Sequence, residues 1–181
     1  SSFREKFGLE NGRYILMTMH RRENWGEPMR NVMLAVRDIL DSIPEMKLVF
    51  PVHLNPVVRE TVYPLLKGHE RVILTDPLEY LPFVSLMEKA ALILTDSGGI
   101  QEEAPALGKP TLVLRETTER PEAIQAGTAL LVGTDRKRVF EETVGLLTDR
   151  SAYERMALAS NPFGDGKASL RIVEHLERAL T

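Results

Sequence analysis

Leu92-Ile93-Leu94-Thr95-Asp96-Ser97-Gly98-Gly99-Ile100-Gln101-Glu102-Glu103 decides the fold. An apolar run ends at Asp96, three small residues follow, and then helical spacing begins, with Ile100, Ala104 and Leu107 on one face. The pattern predicts strand, tight turn, helix. At such a turn Ser97, Gly98 and Gly99 start the helix, where backbone N–H groups lack intrahelical partners. Free donors and the positive end of the helix dipole suit a phosphate, and glycines let the anion approach the backbone closely. Glu103, one helical turn further on, could accept from a sugar hydroxyl. Taken alone, the stretch reads equally well as a plain Gly-rich turn with a Ser cap.

The flanking chain repeats the same alternation. Apolar runs at Tyr14–Met19, Leu48–Val52, Val72–Thr75, Ala91–Thr95, Thr111–Leu114 and Ala129–Val132 predict six strands. Helical patterns start at Met29 (with Val32, Val36, Ile39 and Leu40), Pro56, Tyr80, the central turn, Pro121, Arg136, Ser151 and Lys167. Alternation at this spacing predicts an α/β fold: a doubly wound, mostly parallel, six-stranded Rossmann-like sheet covered on both faces. Asn161 to Gly166 breaks the chain, so residues 1–166 are expected to form the Rossmann-like domain and residues 167–181 a separate C-terminal helix.

Composition narrows the function. The chain has 181 residues, 43% of them hydrophobic, enough for a sizeable core. A net charge of -3, from 23 basic and 26 acidic residues, gives no reason to expect nucleic acid or a membrane surface. Without cysteine there is no disulfide framework and no thiolate chemistry. The four histidines are far apart in sequence, so no metal site is expected. Ser1 to Gly8 has no signal-peptide pattern and no Met, and is expected to belong to a longer protein.

The dense polar segments all follow strands, where ligands bind in open α/β sheets. They are His20 to Asn24, His53, Ser97 to Gly99, and Arg115 to Arg120. His20 could donate to a phosphate or shuttle a proton, or be a surface residue of a charged loop. Arg21, Arg22 and Arg120 could clamp phosphate oxygens, or pair with Glu23, Glu116 and Glu119. His53 could be functional or structural. Phe83 and Tyr80 could line a base pocket or lie in the core. Trp25 could staple its loop, and Asp165 and Lys167 could cap the last helix. The chain lacks Gly-x-Gly-x-x-Gly and Gly-x-Ser-x-Gly, which disfavours an ordinary nicotinamide or flavin site and a serine nucleophile. A nucleotide or nucleotide-sugar remains as the best ligand class.

His20-Arg21-Arg22-Glu23-Asn24, Thr95 to Pro105, Gly108-Lys109-Pro110, Thr117 to Glu122 and Gly164-Asp165-Gly166-Lys167-Ala168 together resemble the bacterial non-hydrolysing UDP-N-acetylglucosamine 2-epimerases. The resemblance covers essentially this whole chain but only the C-terminal half of the family's protein. It implies one half of a glycosyltransferase-B arrangement, with the active site between two Rossmann-like halves. It implies that Ser97, Gly98 and Gly99 hold the UDP diphosphate, Glu103 the ribose and Phe83 the uracil. Arg120 would touch the diphosphate region, and His20 would act catalytically near the leaving phosphate. Arg21 and His53 match positions that contact a second UDP-N-acetylglucosamine in relatives regulated by substrate. Leu78 stands where some relatives carry a Gln facing the nucleotide, so a polar uracil contact is lost or supplied by backbone.

The implied reaction eliminates UDP to a 2-acetamidoglucal and adds it back with inversion at C2, giving UDP-N-acetylmannosamine. It needs no cofactor and no metal. The carboxylates that move the C2 proton belong to the family's N-terminal half, and no residue here takes that role. The resemblance also implies a cytoplasmic homodimeric parent serving cell-envelope polysaccharide biosynthesis, and an inactive isolated half. The donor-binding half of a glycosyltransferase, a nucleotide-sugar sensor and a purely structural domain remain as alternatives.

Overall fold

Each apolar run closes into a parallel strand: β1 (Tyr14–Thr18), β2 (Lys47–Pro51), β3 (Val72–Thr75), β4 (Leu92–Thr95), β5 (Thr111–Val113) and β6 (Ala129–Leu131). The computed structural model describes residues 5, 7–9 and 13–180, so the readings of Ser1 to Gly8 and of Thr181 fall partly or wholly outside it. The strand order is β3-β2-β1-β4-β5-β6, and every pairing is parallel. The helices are α1 (Glu27–Ser42), α2 (Pro56–Leu66), α3 (Tyr80–Lys89), α4 (Gly98–Glu103), α5 (Pro121–Gln125), α6 (Arg136–Thr148), α7 (Arg150–Ala157) and α8 (Ala168–Leu180). This is a Rossmann-like α/β fold, as the alternation predicts.

Successive strand residues point to opposite faces, so both faces of a sheet with near-continuous apolar strands become core. Ile15, Met17, Leu48, Phe50, Leu92 and Leu94 form one core with Val32, Val36, Ile39 and Leu40 of α1 and with Val58, Val62 and Leu66 of α2. Tyr14, Leu16, Val49 and Ile93 form the other with Leu86 and Met87 of α3. Ile100, Ala104 and Leu107 join this second core, which is the face that their spacing predicts. The Tyr14 hydroxyl donates to the Leu86 carbonyl at 2.6 Å, which satisfies the one polar atom on that side chain.

Local signals fix the element ends. Asn55 caps α2, its Oδ1 accepting from Val57 N at 3.0 Å, and Pro56 occupies the first turn. Asp135 and Asp149 cap α6 and α7 in the same way. Gly108, at φ 61°, ends the 3-10 turn Ala104–Leu107 that extends α4. α1 begins two residues before the apolar spacing does, because its first turn opens, behind Gly26 at φ 82°, on Glu27 and Pro28, neither of which belongs to the buried face. Beyond Gly166, α8 carries no buried residue, and Leu170, Ile172, Val173, Leu176 and Leu180 all stand exposed. Asp165 accepts from Lys167 N, just before α8, and pairs with Arg171 in its first turn.

Candidate nucleotide site

β1 and β4 are adjacent at the centre of the sheet, but their connections leave toward opposite faces. The chain after β1 runs to α1 and the chain after β4 runs to α4. The loops therefore part at the carboxyl ends of the two strands, and the crevice between them is the usual ligand position of a doubly wound sheet.

Asp96, fully buried at the end of β4, holds the loop after β1 in place. Its Oδ2 accepts from His20 N at 3.0 Å, Arg21 N at 2.8 Å and Asn24 Nδ2 at 2.9 Å. Its Oδ1 lies 3.4 Å from Nδ1 of His20. Asn24 is itself buried and donates on to the Leu114 carbonyl, while Trp25 Nε1 donates to the His20 carbonyl at 3.2 Å. Charge-assisted bonds in a dry setting are the stronger kind. Trp25 thus staples the loop, and the main anchor is Asp96 at the end of β4.

On the other side of the crevice Ser97 is the N-cap of α4, yet its hydroxyl makes no capping bond. Its own N–H is taken by Thr95 Oγ1 at 3.0 Å. The free donors of this turn are thus Gly98, Gly99 and Ile100, the first three helical residues. A Cβ on Gly98 would lie 3.8 Å from Arg21 Nη2 and 3.9 Å from Arg120 Cζ and Nη2. Two guanidinium groups therefore stand over the glycine. Gln101, fully buried, ties the two parts together: Nε2 donates to the Ser97 carbonyl at 3.2 Å, and Oε1 accepts from Thr118 Oγ1 at 2.6 Å. Thr118 Oγ1 in turn accepts from Arg120 N at 3.0 Å.

The arginine pairings differ from those expected. Arg115, a residue assigned no role in the sequence, is buried and takes both Glu23 (2.7 Å) and Glu119. The Arg115 guanidinium, helped by Glu119's own backbone N–H, pulls the Glu119 carboxyl down to about 2. The two carboxylates hold Arg115 firmly protonated, well above its ordinary value, Glu119 contributing most. Arg21 reaches Glu119 at 3.7 Å, as expected, but Arg120 pairs with Glu102, and Arg22 lies over the Trp25 ring at 5.9 Å. Arg22 is thereby drawn to Trp25, while Arg21 and Arg120 converge at Gly98.

Next to this pair lies a cavity of about 190 Å³ lined by His20, His53, Leu78, Phe83, Ser97 and Ile100, among others. The His20 and His53 rings stack at 5.6 Å between centroids, 15° apart. Phe83 both lines the cavity and packs on the second core. Tyr80 does neither, standing 65% exposed at the start of α3. Glu103 is half-buried at the end of α4, away from the cavity lining. Asp96, Gln101 and Arg115 escaped the sequence reading. The available signal was a polar residue inside or at the end of an otherwise buried run. Among the described residues no cluster of three His, Asp or Glu could hold a metal ion, and no helix is long and apolar enough to cross a membrane.

A family model described as UDP-N-acetylglucosamine 2-epimerase matches residues 1–177. The UDP-N-acetylglucosamine 2-epimerase of Escherichia coli K12 is 56% identical over 163 residues, 90% of this chain and 43% of that protein. A Staphylococcus aureus protein, MnaA, in a co-structure with UDP superposes with a TM-score of 0.92 at 47% identity, over 99% of this chain and 49% of its own. The Neisseria meningitidis UDP-GlcNAc 2-epimerase, solved bound to UDP-GlcNAc, superposes with a TM-score of 0.91 at 48% identity, over 97% and 48%. The chain thus spans about half the length of the relatives it matches. With its motifs, its sheet order and its crevice all in agreement, this chain belongs to the UDP-N-acetylglucosamine 2-epimerase family.

Proposed function

We propose that this chain is the UDP-binding half of an enzyme that interconverts UDP-N-acetylglucosamine and UDP-N-acetylmannosamine. The observation that carries the reading is the convergence of Arg21 and Arg120 over Gly98, at a helix start with free N–H groups. Guanidinium forks and backbone donors match the oxygens of a diphosphate. The uracil lies against Phe83 and Leu78, an apolar contact in place of a side-chain hydrogen bond. Glu103 accepts from the ribose, and the Ser97 hydroxyl and His20 face the diphosphate. Relatives solved with UDP and with UDP-GlcNAc support this choice of ligand.

In the reaction the C1–O bond breaks, its electron pair leaving on the UDP phosphate while the C2 proton departs. In the return step the phosphate oxygen bonds C1 again and a proton is delivered to C2 from the opposite face, which inverts C2. His20 acts at the phosphate oxygen, and the groups that handle the C2 proton come from an N-terminal half. In a regulated parent His53, which lines this cavity, and Arg21, which also stands over Gly98, would contact a second substrate molecule. Residues 1–166 are the UDP-binding domain, and the helix within 167–181 crosses toward the N-terminal half, which covers the exposed Leu170, Val173 and Leu176. The parent is a cytoplasmic homodimer in this reading.

The full-length parent should convert UDP-N-acetylglucosamine to its C2 epimer with no acceptor present, and this chain alone should not. Turnover by the chain alone would refute the half-site reading. Transfer only on addition of an acceptor would make the parent a glycosyltransferase.

A further inference from the structure

Three histidines have Nδ1 facing a neighbour, and one of them differs from the other two. Nδ1 of His53 accepts from Asn55 N at 3.1 Å, and Nδ1 of His69 accepts from Arg71 N at 3.2 Å. A neutral ring that accepts at Nδ1 carries its proton on Nε2. His20 is reversed. Its Nδ1 faces Oδ1 of Asp96 at 3.4 Å, and an ionised carboxylate only accepts. The carboxylate attracts a proton on the facing Nδ1 and repels a lone pair there, which favours the Nδ1–H form and leaves Nε2 as the open nitrogen.

The same carboxylate fixes the backbone that carries the ring, through His20 N, Arg21 N and Asn24 Nδ2. The His53 ring stacks on a face of the imidazole, and 41% of the His20 side chain stays exposed. We propose that Asp96 is a positioning residue: it holds His20 in the Nδ1–H tautomer, so that Nε2 is the atom that exchanges a proton with the phosphate of the bound nucleotide. The mechanistic half of this proposal rests on the nucleotide-sugar reading above. The tautomer does not.

Asp96→Asn tests it with almost no change of shape. The carboxamide has one accepting oxygen and one donating NH2. With the oxygen kept on Arg21 N and Asn24 Nδ2, the NH2 turns to His20 Nδ1 and donates, so the ring must move its proton to Nε2. The same exchange in a catalytic triad inverts the histidine tautomer.

The experiment is long-range 1H–15N NMR of the 15N-labelled chain at mildly alkaline pH, where imidazoles are neutral. A His20→Gln variant assigns the signal. The expected spectrum has protonated Nδ1 in His20, and protonated Nε2 in His53 and His69 as internal references. Asp96→Asn should invert His20 alone. A wild-type His20 protonated at Nε2 overturns the proposal, and needs no variant to fold. Retention of the Nδ1–H form in a folded Asp96→Asn protein, judged by unchanged His53 and His69 signals, overturns the assignment to Asp96.

In the full-length parent, Asp96→Asn should lower kcat by about 100-fold or more with KM changed only a few-fold. An unchanged kcat would overturn the positioning role. Titration with UDP separates the two levels. A shift of His20 Nε2 on binding supports the nucleotide reading, and its absence beside an intact Nδ1–H tautomer would sink that reading together with the phosphate role given to Nε2, leaving the tautomer assignment in place.

Discussion

Replacing Gly98 with Ala should strengthen the fold and weaken the ligand at once. Gly98 opens α4, and its φ lies outside the left-handed region, so alanine fits the backbone without strain. The new Cβ would meet nothing closer than 3.8 Å, an ordinary van der Waals contact. Removing the freedom of glycine from the unfolded chain should add about 0.5–1 kcal/mol of stability. For a domain of this size that raises Tm by about 1–4 °C. The nearest atoms are Arg21 Nη2 and the Arg120 guanidinium. An oxygen bonded to a guanidinium sits about 2.8 Å from its nitrogen, so it would occupy the same gap as the new methyl. Losing one charge-assisted bond costs about 1.5–3 kcal/mol, or about 10- to 150-fold in affinity. Thermal unfolding and calorimetric titration with UDP read the two effects on one sample. A raised Tm with unchanged UDP affinity would refute the placement of the diphosphate at Gly98.

Gln101→Leu should remove the link between the central turn and the Arg120 loop, leaving the Thr118 hydroxyl and the Ser97 carbonyl without Gln101. A cost of about 1–3 kcal/mol and a Tm lower by about 2–12 °C are expected, and an unchanged Tm would contradict the role. Phe83→Ala should weaken UDP by about 1–3 kcal/mol, the size of a base–aromatic contact, while leaving inorganic pyrophosphate binding unchanged; equal loss for both would refute the uracil placement. Glu119 has its carboxyl lowered from 4.5 to about 2, chiefly by Arg115, so its ion pair contributes stability above pH 4.5 that is lost as pH falls toward 2. The Tm difference between wild type and Glu119→Gln should therefore close through that window, and a pH-independent gap would count against the Arg115–Glu119 link.

The strands and the crevice were legible because both are written in short-range patterns. Apolar runs mark the strands, and Ser97-Gly98-Gly99 marks the turn that joins β4 to α4. Helix edges were less legible, as at Glu27-Pro28, because residues off the buried face carry no apolar spacing. Pairings across the sheet could not be read. Arg115 lies 92 residues from Glu23, and Asp96 lies 76 from His20, distances in sequence that only the strand order brings together. Proximity in sequence favoured Arg22 and Glu23 as partners of their own loop. The fold instead turns Glu23 to Arg115, Arg22 to Trp25 and Arg120 to Glu102. Tyr80 shows the same limit, since spacing placed it beside Phe83 but could not say that the helix start projects into solvent.

The most direct test of the central claim is amide NMR mapping of UDP on this chain. Binding should shift Gly98, Gly99 and Ile100, together with Phe83, Arg21 and Arg120, and leave Arg13 and Tyr153 at the opposite end of the sheet unmoved. No shifts at millimolar UDP, or shifts centred on Arg13 and Tyr153, would contradict the account.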